Sequence, residues 1–355
     1  MTPGYGGGMT EAGQDLAARV GAPKRLALPI HPDVPLWRPA GIEDLDRIWR
    51  LSSAIASSDH PNHLTTRDGL AAIFARQYFR PAHDSLLGFD SAGRVVASGL
   101  VLLPSLRRSV VRSTIVGGVD PERRGRGIGQ RLLAWQVGRA KQQLAESGEE
   151  LPGWVLAFAD ERAPRKRRLL QRAGFSLRRH FVSLERRLDT PISPVEPIGT
   201  VRIAHYREGL SSRIHLARDA AFSDHWGSAP MSTEAWDDFI GGSSFRAELS
   251  FVALAPASAG GASVVGFGLG SANEADWPHQ GFRGSHIDML GVVPGWRGRR
   301  VASAVLSAQL QASREEGMER VTLDVDADST TGAYDLYRKW EFTPRYRKYA
   351  YTLEY

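Results

Sequence analysis

The side chains best suited to proton transfer lie in two alternating segments near the C-terminus. In Ser285-His286-Ile287-Asp288-Met289-Leu290 a strand would place His286 and Asp288 on one face, because strand side chains alternate. In Thr322-Leu323-Asp324-Val325-Asp326 the same alternation groups further carboxylates. Acids beside an apolar wall can be tuned to act as bases near neutral pH. The plainer alternative is a solvated acidic strand face. His286 or Asp288 is the candidate base, directly or through water, and Asp324 the candidate substrate contact. Asp224, His225 and Trp226 follow a helical pattern and could hold a substrate; a capping Asp and a packed Trp explain them equally well.

A second kind of chemistry is anion binding. Arg124-Gly125-Arg126-Gly127-Ile128-Gly129-Gln130 follows an apolar strand-like run and precedes a helical one. Glycines allow close backbone approach, and N–H groups at a helix start favour phosphate. The glycine spacing fits neither a dinucleotide fingerprint nor a Walker loop. A related segment, Arg297-Gly298-Arg299-Arg300-Val301-Ala302, sits in the same context, with Arg300 where the first loop has Gly127. If that position needs φ > 0, the side chain costs about 1 kcal/mol or more, and its charge could offset part of this on a phosphate. A tight turn with solvated arginines would explain one such loop more readily than two.

Other chemistries are excluded or disfavoured. The chain has no cysteine, hence no disulfide, thiolate metal site or Cys nucleophile. Asp324-Val325-Asp326-Ala327-Asp328 resembles a calcium loop, but position six is Ser329 rather than Gly, and no zinc spacing occurs, so no metal is expected. A net charge of +6 and a pI near 9.7 suit an anionic partner. Arg162, Arg165, Lys166, Arg167, Arg168 and Arg172 could bind nucleic acid. They lack interleaved aromatics, so a solvated helix face or contact with cofactor phosphates is preferred. No apolar run approaches the roughly 18–20 residues of a membrane helix. The Gly-rich start lacks a secretory pattern, so a cytoplasmic protein is expected.

The elements that must position these residues occur twice. Arg38, Pro121 and Phe175 have counterparts at Arg202, Pro294 and Phe342, at offsets of 164, 173 and 167 residues. The expected organisation is a flexible extension (1–34), a first domain (35–188), a Pro-rich linker (189–199) and a second domain (200–355). Each domain reads as helix, helix, three strands, loop, helix, strand, helix, strand. Strands are expected at 85–89, 94–103, 110–119, 154–159 and 181–185, and at 251–254, 264–269, 285–293, 321–326 and 346–352. The last helices are expected at 164–173 and 331–340. The class is mixed α/β with helices on both sheet faces.

These motifs carry a family resemblance. Arg124 to Gly129 fits the (Gln/Arg)-x-x-Gly-x-(Gly/Ala) signature of the GNAT N-acetyltransferases, and Arg297 to Ala302 fits it except at Arg300. Leu336-Tyr337-Arg338-Lys339-Trp340-Glu341-Phe342 resembles the family's closing Leu-Tyr-x-x-x-Gly-Phe. Residues 221–227 are similar to tandem members, among them mycothiol synthase and proteins of antibiotic clusters such as that for clavulanic acid. The resemblance implies two tandem GNAT-type domains, each a mostly antiparallel sheet with a splayed central strand pair, and it implies acetyl-CoA. Gly117, Gly118 and Val119 would line the pantetheine, and Arg124 to Gln130 the pyrophosphate. Leu290 to Val293, including Val292 and Val293, and Arg297 to Ala302 would do so in the second domain. The family's thiolate-protonating tyrosine corresponds to Tyr337 and, in the first domain, to Leu170, which cannot donate a proton. Without cysteine, direct attack of a small amine on the thioester is expected, with acid/base groups favouring the second domain. An active first domain, or a CoA-binding pseudoenzyme, is the alternative. Open acceptors are a mycothiol precursor, a ribosomal-protein N-terminus and a specialised metabolite; a monomer or homodimer is expected.

Overall fold

The computed structural model describes residues 15–59, 66–107, 109–226, 228–257, 260–329 and 332–355. Two runs of elements follow one plan. The first comprises α1 (Leu16–Val20), β1 (Leu36–Arg38), α2 (Leu45–Asp59), α3 (Arg67–Ala75), α4 (Pro81–Asp84), β2 (Ser85–Phe89), β3 (Val95–Leu102), β4 (Val111–Val119), α5 (Ile128–Glu146), β5 (Gly153–Asp160), α6 (Pro164–Arg172) and β6 (Ser176–Arg187). The second comprises β7 (Arg202–His205), α7 (Ser211–Ala221), α8 (Thr233–Ile240), β8 (Phe245–Pro256), β9 (Ala262–Ser271), α9 (Trp277–Gln280), β10 (Gly284–Val292), α10 (Val301–Glu315), β11 (Arg320–Asp326), α11 (Ala333–Lys339) and β12 (Thr343–Glu354). The start of the last predicted helix, Thr331, lies outside the described residues.

The twelve strands among the described residues join one sheet in the order β1-β2-β3-β4-β5-β12-β6-β11-β10-β9-β8-β7. Only β4–β5 and β10–β11 are parallel. The closing strands are exchanged. β12 lies against β5 of the first run, and β6 lies against β11 of the second. Each run has one strand after its last helix, and the exchange pairs both where an open edge would otherwise remain. The extended segment 189–199 therefore does not separate two closed sheets. It runs beside α10, where Ser307 donates to the Ser193 carbonyl and Ile198 N–H donates to the Arg299 carbonyl.

Helices cover both faces because the central strands are apolar on both sides. β3, Val-Val-Ala-Ser-Gly-Leu-Val-Leu, is buried almost throughout. Val96, Ala97 and Val101 meet Ile128, Leu132 and Leu133 of α5, whereas Leu100 meets Leu45 and Ile48 of α2. In the second run Val301 and Val305 of α10 cover one face, and Ile214 and Ala217 of α7 the other.

Within the expected flexible extension, residues 15–20 are instead packed. Asp15 caps α1, Leu16 and Val20 are buried in the first core, and Arg19 donates to the carbonyls of Tyr355, Glu150 and Leu151. No described helix is long and apolar enough to cross a membrane.

Candidate functional site

The parallel pairing in each run is short, and the strands part beyond it. β4 and β5 stay paired from Val111/Gly153 to Ile115/Ala157. β10 and β11 stay paired from Gly284/Arg320 to Ile287/Leu323. Beyond the first parting lies a cavity of about 750 Å³. Gly117, Gly118, Val119, Arg124, Gly125, Gly127, Gly129 and Gln130 line it, together with Val116 and Leu170. Ile128 does not face it: its side chain is in the core, as is that of Val301 in the second run, so only their backbones can meet a ligand.

Both loops have one backbone shape. Gly125 and Gly127 have φ of 83° and 92°, and Gly298 and Arg300 have φ of 78° and 59°. Gly127 and Arg300 are the N-cap residues of α5 and α10, without a side-chain cap. The left-handed position inferred from the paired motifs is thus occupied by an arginine in the second loop. N–H groups at both helix starts are placed to receive an anion.

The first arginine of each loop is engaged within the protein. Arg124 makes two hydrogen bonds to Asp59, at 2.6 and 3.0 Å, and donates to the Val119 carbonyl. Arg297 does the same with Asp224, at 2.7 and 3.2 Å, and with the Val292 carbonyl. Such bidentate pairs fix geometry, so these arginines brace the loop to the preceding helical segment. Asp224 is therefore engaged by Arg297, whose hydrogen bond lowers its pKa to about 2. Asp59 was missed in the sequence, although Ser58-Asp59-His60 repeats as Ser223-Asp224-His225.

The remaining loop residues are also accounted for. Arg126 faces Asp33 at 3.4 Å, and its carbonyl accepts from His31 Nε2 at 2.7 Å. Arg299 lies over the Trp296 ring, and Ala302 is in the first turn of α10. Val292 and Val293 pack on opposite sides of the second sheet. His225 meets the Phe222 ring edge-on, and Trp226 stacks on Trp154 of the first run at 5.0 Å.

Cations concentrate on the other wall of the first cavity. Arg162, Arg165, Lys166, Arg168 and Arg172 line it from α6 and the residues before it. Burial lowers the pKa of Lys166, while Asp59 and Asp160 act in the opposite sense. Asp160, at the end of β5, is raised to about 6 by burial, and accepts from Arg162 N–H.

The second parting is chemically different. Counting from the last paired residues of each run, Val116 and Phe158 correspond to Asp288 and Asp324. Asp288 interrupts the expected alternation: the β9–β10 register shifts between Ile287 and Met289. Met289 packs with the α7 cluster, whereas Ile287 and Leu290 pack with that of α10. Asp288 is the residue at this bulge, a device that re-aims side chains, so strict alternation does not place it on the His286 face. Asp324 accepts a short hydrogen bond from Ser183, which the exchanged β6 supplies. His286 Nδ1 lies 2.9 Å from Thr322 Oγ1. Thr322 itself donates to the Ser285 carbonyl. This arrangement suits Thr322 accepting from Nδ1–H of His286. Tyr337 is buried among Ile287, Leu310, Leu323 and Phe342, and burial raises its pKa well above the ordinary phenol range. It is a protonated hydroxyl in an apolar setting. Leu170 is its first-run counterpart.

Known proteins show the same architecture. A model of the acetyltransferase (GNAT) family matches residues 211–342. A mycothiol acetyltransferase of Nocardia farcinica is 28% identical over 243 residues, covering 66% of this chain and 72% of the relative. Another, from Thermobispora bispora, is 30% identical over 238 residues, covering 63% and 70%. The solved structure of a tandem GNAT protein from the clavulanic acid biosynthesis pathway superposes with a TM-score of 0.63 at 16% identity, covering 90% of this chain and 98% of that one.

Proposed function

We propose that this chain, an N-acetyltransferase that belongs to the GNAT family, transfers the acetyl group of acetyl-CoA to a small-molecule amine, with binding and chemistry weighted differently in its two halves. The first half (35–188) holds acetyl-CoA in the cavity beyond Ile115 and Ala157. The second half (200–355) holds the reacting acetyl-CoA at its own loop, Arg297 to Ala302, and acetylates the amine there. When bound, acetyl-CoA supplies an activated thioester carbonyl for direct attack by the amine nitrogen. The residues present suit such a ligand: left-handed loop positions, a helix start and a cationic wall meet the chemistry of its phosphates.

One contrast carries the assignment of chemistry to the second half. Where its strands part stand Asp288 and Asp324, with Tyr337 as the neighbouring hydroxyl; the first half has Val116, Phe158 and Leu170 at the same places. Carboxylates there attract an ammonium and receive its proton. His286, hydrogen-bonded to Thr322, is the second candidate base. Tyr337 keeps its proton until the leaving thiolate takes it. Asp324 holds the amine, oriented by Ser183. Asp224 contributes by fixing the second loop, and His225 and Trp226 by shaping the segment beside it. A positioned acid or base contributes about 10²–10⁴-fold.

An active first half is the second reading. Asp160, with its pKa raised to about 6, favours it, since that carboxyl can accept a proton near neutrality. The deciding experiment is an acetyl-CoA turnover assay over an amine panel with wild type, Asp324→Asn and Asp160→Asn. A mycothiol precursor is the first amine to include, because two similar proteins are mycothiol acetyltransferases. The proposal expects Asp324→Asn to lose at least about tenfold in kcat and Asp160→Asn to retain activity at neutral pH. The reverse pattern supports the second reading and overturns the first.

A further inference from the structure

The cations that face the first cavity are not those of its glycine loop. Arg124 is bidentate with Asp59, and Arg126 is beside Asp33. On the opposite wall, Arg165, Lys166, Arg168 and Arg172 have no hydrogen-bond or ion-pair partner among the described residues. The helix that carries three of them and ends at the fourth, Pro-Arg-Lys-Arg-Arg-Leu-Leu-Gln-Arg, contains no acid. Its remaining cation, Arg167, turns away and lies 4.3 Å from the Tyr349 ring centroid. Arg165 reaches across the cavity: a Cβ built on Gly125 would lie 3.5 Å from its Nη1. One guanidinium thus already stands over the loop that offers free N–H groups.

A pyrophosphate diester carries one charge on each phosphate. The start of α5 and Arg165 can meet both. Arg168 and Arg172, farther along α6, exceed what the pyrophosphate needs. A phosphomonoester adds about −1.5 to −2 charges at pH 7, and CoA carries one on the ribose 3′ oxygen. We propose that α6 reads the phosphates of CoA in the first half, Arg165 acting on the pyrophosphate and Arg168 with Arg172 on the 3′-phosphate, so that the site selects CoA over its 3′-dephospho form. The second half keeps only part of this device: by the alignment of Leu170 with Tyr337, Arg165 and Arg168 correspond to Gly332 and Asp335, and Arg172 alone has a cation in its place, Lys339.

This inference rests on the reading that the first cavity binds acetyl-CoA, and calorimetry on the full chain separates the two. CoA and 3′-dephospho-CoA are titrated into wild type, Arg165→Gln and the Arg168→Gln/Arg172→Gln double variant. The expected results are at least about tenfold tighter binding of CoA by wild type, since charge-assisted hydrogen bonds of this kind reach that size, and loss of that preference in the double variant with 3′-dephospho-CoA affinity unchanged. Arg165→Gln should weaken both ligands. Equal binding of both ligands by wild type, or a preference that survives in the double variant, overturns the inference while leaving the cofactor site standing. Failure of wild type to bind either ligand overturns the cofactor site, and the inference with it.

Discussion

Arg300 holds a backbone conformation that an L-residue adopts at a cost, and replacing it with glycine should expose why it is there. At φ 59° and ψ 12° it is left-handed, and its guanidinium has no hydrogen-bond or ion-pair partner among the described residues. The conformation costs about 1–2 kcal/mol in a residue with a Cβ. Glycine removes that cost but gains about 0.5–1 kcal/mol of extra freedom in the unfolded chain. Arg300→Gly should therefore stabilise folding by about 0.5–1 kcal/mol, raising the midpoint by about 1 °C in a chain of this length. The same change should weaken acetyl-CoA at the second loop by about tenfold or more, because a charge-assisted contact to phosphate is lost. Thermal unfolding followed by circular dichroism reads the first effect. Calorimetry in the Gly127→Asp background, where the first loop carries a repelling carboxylate, reads the second. A lowered midpoint would mean that Arg300 makes a stabilising contact in the folded protein, and unchanged affinity would mean that it does not meet phosphate.

Three further outcomes follow from the geometry. Gly117→Ala should cost about 3 kcal/mol or more by chemical denaturation, because a Cβ there collides with the Ser98 carbonyl at φ 114°; Gly298→Ala, in open space at φ 78°, should cost only about 1 kcal/mol. Asp160 is raised in the folded state to about 6 from the ordinary value of 3.8, so it favours folding at low pH and opposes it as pH rises between those values; Asp160→Asn should stabilise by about 1–3 kcal/mol at pH 8 and by much less at pH 4, measured as urea midpoints. Ser183→Ala should lower acetylation about tenfold while first-cavity binding of acetyl-CoA is kept, and Ser183→Thr should restore it; activity unaffected by the loss of the hydroxyl would remove Ser183 from the account.

Much of this architecture is legible in local sequence. Strands such as Ser85–Phe89 and Val111–Val119 announce themselves as apolar runs bounded by loop residues, and β10 and β11 by alternation. The two loops are readable as a pair, because glycine placement encodes backbone sign: the left-handed φ of Arg300 follows from its alignment with Gly127. Nonlocal pairing is not readable in this way. Nothing in Ser176–Arg187 or Thr343–Glu354 states that each will lie beside the other run's strand, and so Ser183 beside Asp324 emerges only from the sheet. The bulge at Asp288 is equally silent, since a one-residue slip leaves composition unchanged. Helix α1 is five residues of ordinary composition whose burial depends on α5 and the chain terminus. The loop braces were within reach: the repeated Ser-Asp-His triplet marks Asp59 and Asp224, but an exposed-looking aspartate reads as a substrate contact until its arginine is seen.

The division of labour between the halves is tested most directly by amine acetylation and acetyl-CoA binding measured together on Gly127→Asp and Ala302→Asp. Gly127→Asp should remove one binding equivalent and leave acetylation largely intact, whereas Ala302→Asp should abolish acetylation. Acetylation lost in Gly127→Asp and retained in Ala302→Asp would contradict that division and assign the chemistry to the first half.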